Sequence, residues 1–353
     1  MSSEQKNVQI NGVIQKNINI CNNLKDGEVQ MEEEKPLKSA VNPNSSYEQS
    51  ILSTMSSEKD IKKKALIDIS NTSKDENLVT SDEIMPSKSK ENITISTPNQ
   101  EYSDEIYENL LLDENIFFQK INPNYMSSQV SINYKMRAIL VDWIIDVHNR
   151  CDMKKKTLFQ AIFIIDAFLT KNIIHKKDFQ LLGMAALLIA SKESEIIFPS
   201  LNTFLAFSNF AYTKQNLVDM ERKVLKNLNF DILAPTAEEF FEINAEYFEF
   251  TQEQKYFGHY FLDSSLIDYN LLKYKQSTIA VACCYIVMKF YKLDGVHLML
   301  DNRSFDVNQK EVKSCARELC FLIKNLSNSS LGATKSKYMS KKYMKIANLC
   351  DGK

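Results

Sequence analysis

Groups able to do chemistry are present in this chain, but their spacing gathers none of them into a reactive set. The four histidines, His148, His175, His259 and His297, are dispersed and form neither an HExxH pair nor a neighbouring His/Cys cluster, so no metal site is expected. The seven cysteines, Cys21, Cys151, Cys283, Cys284, Cys315, Cys320 and Cys350, are odd in number and contain no CxxC pair. The amino terminus shows no signal-peptide apolar stretch, so reduced intracellular thiols are expected. No nucleophile, base or phosphate-loop constellation occurs, so no catalytic residue and no cofactor is assigned, and an enzyme is not expected. Some charges stand out because of their surroundings. Arg137 and Asp166 lie in neighbouring amphipathic patterns, where a charge is tolerable if a partner neutralises it, and they are expected to pair and fix how two helices dock. Lys192 and Glu221, near the ends of two further helices, admit the same structural reading.

The elements that must position these residues read as helices. From Glu101 onward apolar residues recur at spacings of three and four, and the seven Gly and seven Pro of the whole chain are too few for a many-turned β fold. Ile139, Leu140, Trp143, Ile144 and Val147 stripe one helix. Leu158, Ile162, Ile165 and Leu169 stripe the next, which Phe159, Phe163 and Phe168 make apolar nearly all round, as a central helix requires. A third runs from Phe179 to about Glu195, a short fourth lies near Asn202 to Phe207, and a fifth starts at the N-cap Thr213 and ends near Asn229. After Pro235 the series restarts: Thr236 caps a helix with Glu239 three residues on, and helices are expected over 236–249, 252–268, 276–292, near 301–306 and over 308–326. The small-residue run LLGMAALLIAS finds a counterpart in STIAVACCYIVM about 95 residues later. Small residues on an apolar helix let neighbours approach closely, so the expected fold is all-α, a tandem repeat of one five-helix domain.

Composition separates this part from what precedes it. Of the 20 Phe, 15 Tyr and one Trp, only Tyr47 lies before residue 101, and no arginine precedes Arg137. Residues 1–100, rich in Ser, Asn, Lys and Glu, hold too little apolar surface to offset the entropy of ordering and are expected to be disordered. The expected organisation is a tail over 1–100, a first helical domain with a preceding helix over 101–234, and a second over 235–350. A net charge of −2 gives no broad basic field and argues against a DNA reader. The apolar runs Leu181 to Ala190 and Ile279 to Met288 are about half of what a membrane span requires, so no membrane association is expected.

With MRAILVDW from Met136 to Trp143, followed in order by IIDAFL, LLGMAALLIASK and MERKVLKNLNF, the chain resembles the cyclins, and most closely the mitotic A and B types. The resemblance runs from about Tyr102 to Ala347 and fills five scattered positions that mark the cyclin box: Arg137, Asp166, Leu181, Lys192 and Glu221. YMSKKYMKIA resembles the closing segment of B-type cyclins. The resemblance implies a tandem of two five-helix domains that binds and activates a cyclin-dependent protein kinase at the G2/M transition, in nucleus and cytoplasm. It implies that Lys192 and Glu221 face the kinase, within an apolar surround of Ile189, Leu225, Phe230 and Ile232; from periodicity alone all four read as core. Glu193 stands where cyclins usually carry an aromatic anchor, whose loss can cost an interface about 2 kcal/mol or more.

Met136, Ile139, Leu140 and Trp143 recur at i, i+3, i+4 and i+7, which by itself reads as a core face. The resemblance implies instead that part of this stripe floors a shallow groove for substrates or inhibitors bearing an Arg-x-Leu motif, with Asp146 and Gln180 on its polar rim. In the tail, KKALIDISN resembles the destruction box of B-type cyclins: Ala65, Leu66, Asp68, Ile69 and Asn71 are in place, Lys63 replaces an arginine and Ile67 a glycine. Lys90-Glu91-Asn92 spells a KEN box, the second short signal read by the anaphase-promoting ubiquitin ligase. The expected function is that of a non-catalytic kinase regulator destroyed through its tail. The alternative from another class is a transcription-factor-type tandem cyclin fold that binds DNA and polymerase components; its usual zinc ribbon and basic face are not visible here.

Overall fold

The computed structural model describes residues 98–294 and 308–350. The tail with its two degron-like motifs and the short helix expected near 301–306 lie outside the described residues. Eleven α-helices run through the described residues: α1 Pro98–Phe118, α2 Tyr134–Arg150, α3 Lys155–Lys171, α4 Lys176–Ser194, α5 Leu201–Phe207, α6 Lys214–Asn227, α7 Ala237–Tyr247, α8 Gln252–Ser265, α9 Gln276–Tyr291, α10 Gln309–Leu326 and α11 Ala333–Tyr338. No strand occurs among the described residues. The all-α tandem expected from the repeat is the fold observed.

Local chemistry sets where the helices begin. The side chain of Asn133 accepts from the amide of Met136 at 3.0 Å and starts α2. At Thr236 the capping is reciprocal: its hydroxyl accepts from the Glu239 amide while its own amide donates to Glu239 Oε2 at 3.0 Å. Thr213 and Asn216 close the same box at the start of α6. The first turn of α9 is capped from far away, since Lys275 contributes no side-chain cap. Buried Glu114 of α1 accepts there from the Ser277 amide at 2.7 Å and the Ser277 hydroxyl at 2.6 Å. Helix α1 is thereby pinned to the second helical unit, an attachment that Tyr107 strengthens through an edge-on ring contact with Phe240.

The two small-residue helices occupy the centre of their units. Every residue of α4 from Leu181 to Ser191 is buried, and so is every residue of α9 from Ser277 to Cys284, which a helix achieves only when neighbours surround it. Helix α4 packs along α3 and also against α2 and α6, while α9 packs against α7, α8 and α10. Helix α3 touches α7, and the short α11 returns to lie on both α2 and α8. None of the described helices is long and apolar enough to cross a membrane.

Candidate partner-binding face

Arg137 and Asp166 form a two-pronged ion pair in the interior of the fold. Arg137 Nε donates to Asp166 Oδ1 at 2.8 Å and Nη2 donates to Oδ2 at 2.7 Å. A third donor, Nη1, reaches the carbonyl of Leu266 at 2.9 Å, just beyond α8 in the second unit. Tyr125 donates its hydroxyl to Asp166 Oδ1 at 2.7 Å and meets the Tyr269 ring edge-on, and Tyr269 accepts from the Met126 amide at 2.9 Å. Burial opposes the charge on Arg137, but the carboxylate of Asp166 more than offsets it and holds the guanidinium above its usual range. Two charges set in neighbouring amphipathic helices pointed to the pair; the Leu266 carbonyl left no signal in the sequence, and it makes the pair a joint between units as well as between α2 and α3.

Lys192 and Glu221 also meet, at 2.6 Å, where the end of α4 crosses α6, but this pair faces outward. Its apolar surround divides. Ile189 is 3% exposed and belongs to the core, while Leu225 and Ile232 are partly buried against it. Phe230 is 68% exposed, which corrects the reading by periodicity that put all four inside. The cause is backbone geometry: after α6 the chain turns through Asn229 and Phe230 in the left-handed region, at φ 53° and 60°, while the Phe230 amide donates back to the Leu225 carbonyl at 2.9 Å. That turn swings the phenyl ring away from the bundle. A bulky residue in this conformation stores about 1–2 kcal/mol of strain and points to a role outside folding.

Glu193 is exposed and accepts from the Ser194 hydroxyl. Two residues on, Glu195 caps the start of α3: its Oε1 accepts from the Lys154 amide at 2.6 Å and from the Thr157 hydroxyl at 2.7 Å, while Lys154 Nζ donates to the Ser194 carbonyl at 2.7 Å. This clamp holds the turn that follows, where Ile196, Ile197 and Phe198 are all exposed. Neither the clamp nor this apolar turn was singled out from the sequence. The three apolar residues in a row were visible; what sets them outside is the clamp, whose two ends are far apart in the chain.

The stripe on α2 also divides. Ile139 is 60% exposed, Met136 and Trp143 are half-buried, and Leu140 is buried. Leu140 is sealed from beneath by α4 at Gly183, where a Cβ would stand 2.8 Å from Leu140 Cδ1. Leu140 is therefore core at this point, and Gly183, within the small-residue run that was expected to let neighbours approach closely, is where that approach occurs. Asp146 is paired along the helix with Arg150 at 2.8 Å, and Gln180 is half-buried. No group of three or more His, Cys, Asp or Glu among the described residues is arranged to hold a metal ion.

The sequence matches two family patterns, described as the cyclin N-terminal domain over residues 105–233 and the cyclin C-terminal domain over residues 235–352. It is 36% identical over 185 residues to a protein named Cyclin-B2-1 from Oryza sativa subsp. japonica, a match covering 52% of this chain and 44% of that one. It is 31% identical over 248 residues to a G2/mitotic-specific cyclin-B from Hydra vulgaris, covering 70% of this chain and 67% of the relative. The chain thus spans from under half to two thirds of the length of these relatives. Its backbone is similar to the X-ray structure of a viral cyclin from herpesvirus saimiri, with a TM-score of 0.56 at 18% identity over 62% of this chain and 96% of that one, a likeness of fold.

Proposed function

The chain belongs to the cyclin family, and on that footing we propose that it is a mitotic, B-type regulatory subunit that binds and activates a cyclin-dependent protein kinase and performs no catalysis itself. The observation that carries this reading is the outward face where α4 and α6 end. There the Lys192–Glu221 ion pair joins α4 to α6, and the chain just beyond α4 exposes Ile196, Ile197 and Phe198 while the turn after α6 exposes Phe230. Large apolar side chains beside oriented charges make the kind of surface that a partner desolvates at its centre.

Activation follows from preferential binding. The surface engages the kinase conformer whose regulatory C-helix is turned inward, so that its glutamate meets the catalytic lysine, and the population moves toward that state by the difference in affinity. Glu193 adds a charge where a ring is usual and suits a kinase that presents a basic side chain opposite it. The strip of Met136, Ile139 and Trp143 beside Asp146 and Gln180 takes segments bearing an Arg-x-Leu motif, the apolar residues accepting the leucine and the acid the arginine. The tail motifs around Leu66 and at Lys90-Glu91-Asn92 deliver the protein to the anaphase-promoting ubiquitin ligase, and the protein works in nucleus and cytoplasm at the G2/M transition. Purification of the full-length protein from dividing cells, with identification of the co-purifying kinase and an assay of its activity, tests the proposal. A cyclin-dependent kinase whose activity depends on this chain is expected. Recovery of DNA and polymerase components instead would move the assignment to a transcription-type cyclin fold.

A further inference from the structure

The stretch from Gly332 to Cys350 is joined to both helical units by polar anchors of unusual placement. Helix α11 is six residues long, and the two 3-10 turns after it, Lys341–Tyr343 and Ile346–Leu349, are separated by Met344 and Lys345 at φ 54° and 55°. A segment built from single turns has almost no helical stability of its own, so what orders it is tertiary contact. Part of that contact is apolar, with Tyr338, Tyr343, Ile346 and Ala347 buried in the core, and three aspartates fix its polar groups. The Ala333 amide donates to Asp142 Oδ1 on α2 at 3.0 Å, Lys342 Nζ donates to Asp152 Oδ1 just past the end of α2 at 2.6 Å, and Lys337 Nζ donates to Asp263 Oδ2 on α8 at 2.7 Å. Tyr338 adds its hydroxyl to the same Asp263 oxygen at 2.9 Å and packs its ring against Tyr260 and Tyr343.

The central anchor is the costly one. Lys337 is 2% exposed and Asp263 is fully buried, so either charge left alone would lack both water and counterion. Asp263 Oδ1 finds no hydrogen-bond partner among the described residues; burial pushes its carboxyl up, but Lys337, helped by the nearby Lys155, holds it below its usual range. A buried ion pair of this kind contributes little net stability compared with apolar packing, yet it enforces one arrangement strongly.

We propose that residues 332–350 form a latch that ties the second helical unit to α2 and releases as one piece while both units stay folded, with the buried Lys337–Asp263 pair as its lock. The latch rests on the fold and is independent of the regulatory reading above. Its release frees the flank of α2 that carries Asp142 and leaves the interiors around α4 and α9 intact.

Hydrogen exchange on the full chain tests the latch. In the wild type, amides of residues 333–349 are expected to exchange as a group and with less protection than those of α4 and α9. Lys337→Met removes the hydrogen-bonded counterion of Asp263 and should speed exchange in 333–349 on the order of a hundredfold and leave α4 and α9 unchanged. Lys337→Met with Asp263→Asn, which removes both charges and keeps an acceptor for Tyr338, should return exchange toward the wild-type rate. Acceleration spread evenly over α4, α9 and 333–349, or none in 333–349, overturns the proposal. If Lys337→Met does not fold, Lys342→Gln, which removes the exposed anchor at Asp152, is read by the same criteria with an expected factor of about three.

Discussion

The Lys192 ammonium and the Glu221 carboxylate stand 2.6 Å apart at the crossing of α4 and α6, the lysine 39% exposed and the glutamate 14%. Each therefore satisfies the other in the free chain, and a partner that engages both finds them already oriented, which lowers the entropy cost of binding. Because the pair is open to solvent on the lysine side, its contribution to folding is small, about 1 kcal/mol or less.

Lys192→Ala combined with Glu221→Ala is accordingly expected to abolish kinase activation while the melting temperature falls by only a few degrees. Kinase activity and thermal unfolding measured on the same preparation decide the matter. Retained activation removes both residues from the interface, and loss of folding makes the pair structural.

Phe230 offers a substitution in which stability and function should part. Glycine carries no penalty in the left-handed region, so Phe230→Gly is expected to hold or raise stability, by up to about 1 kcal/mol, while kinase affinity falls by about 2 kcal/mol. Urea unfolding beside a titration with the kinase reads both. A large loss of stability would mean that the ring packs on the bundle in solution.

Glu238 supplies a pH dependence with a definite sign. Burial first, then the neighbouring Glu242 charge, push its carboxyl up to about 7, with Lys155 opposing them. The folded protein therefore binds a proton more readily than the unfolded chain between the ordinary glutamate value and about 7. Whatever Glu238 contributes is present in acid and lost as pH rises through 7. Glu238→Gln, which stays neutral, should match the wild type near pH 4 and exceed it near pH 8 by about 2 kcal/mol. Equal stability differences at both pH values would show that Glu238 ionises normally.

The tail gives a prediction about lifetime. Changing Leu66 to Ala together with Lys90-Glu91-Asn92 to alanines should leave kinase binding unchanged and prolong the protein's half-life through mitotic exit. Leu66 is the better probe than Lys63, because its apolar side chain needs a pocket whereas Lys63 already departs from the arginine of the pattern. A half-life unchanged by these substitutions would leave KKALIDISN as a chance apolar patch.

Periodicity, caps and small-residue runs were enough to read the helices, because each is a relation between residues a few positions apart. Thr213 and Thr236 cap where their neighbours predict, and the runs that open at Leu181 and Ser277 lie at the two unit centres because their residues are apolar on every side. What is inside and what is outside at the helix ends was decided only by tertiary structure. Phe230 and Ile189 are both apolar residues near the end of a helix, yet one is swung outward by a left-handed turn and the other closed in by neighbouring helices. Leu140 and Ile139 are adjacent, and the absent side chain of Gly183 is what lets α4 cover the first. The polar joints follow the same rule: Arg137 reaches the Leu266 carbonyl and Lys337 reaches Asp263 across long separations in sequence. Local spacing carries no information about such partners. A buried charge must be neutralised by whatever group the fold brings within hydrogen-bond distance, and that distance exists only after the two helical units have packed.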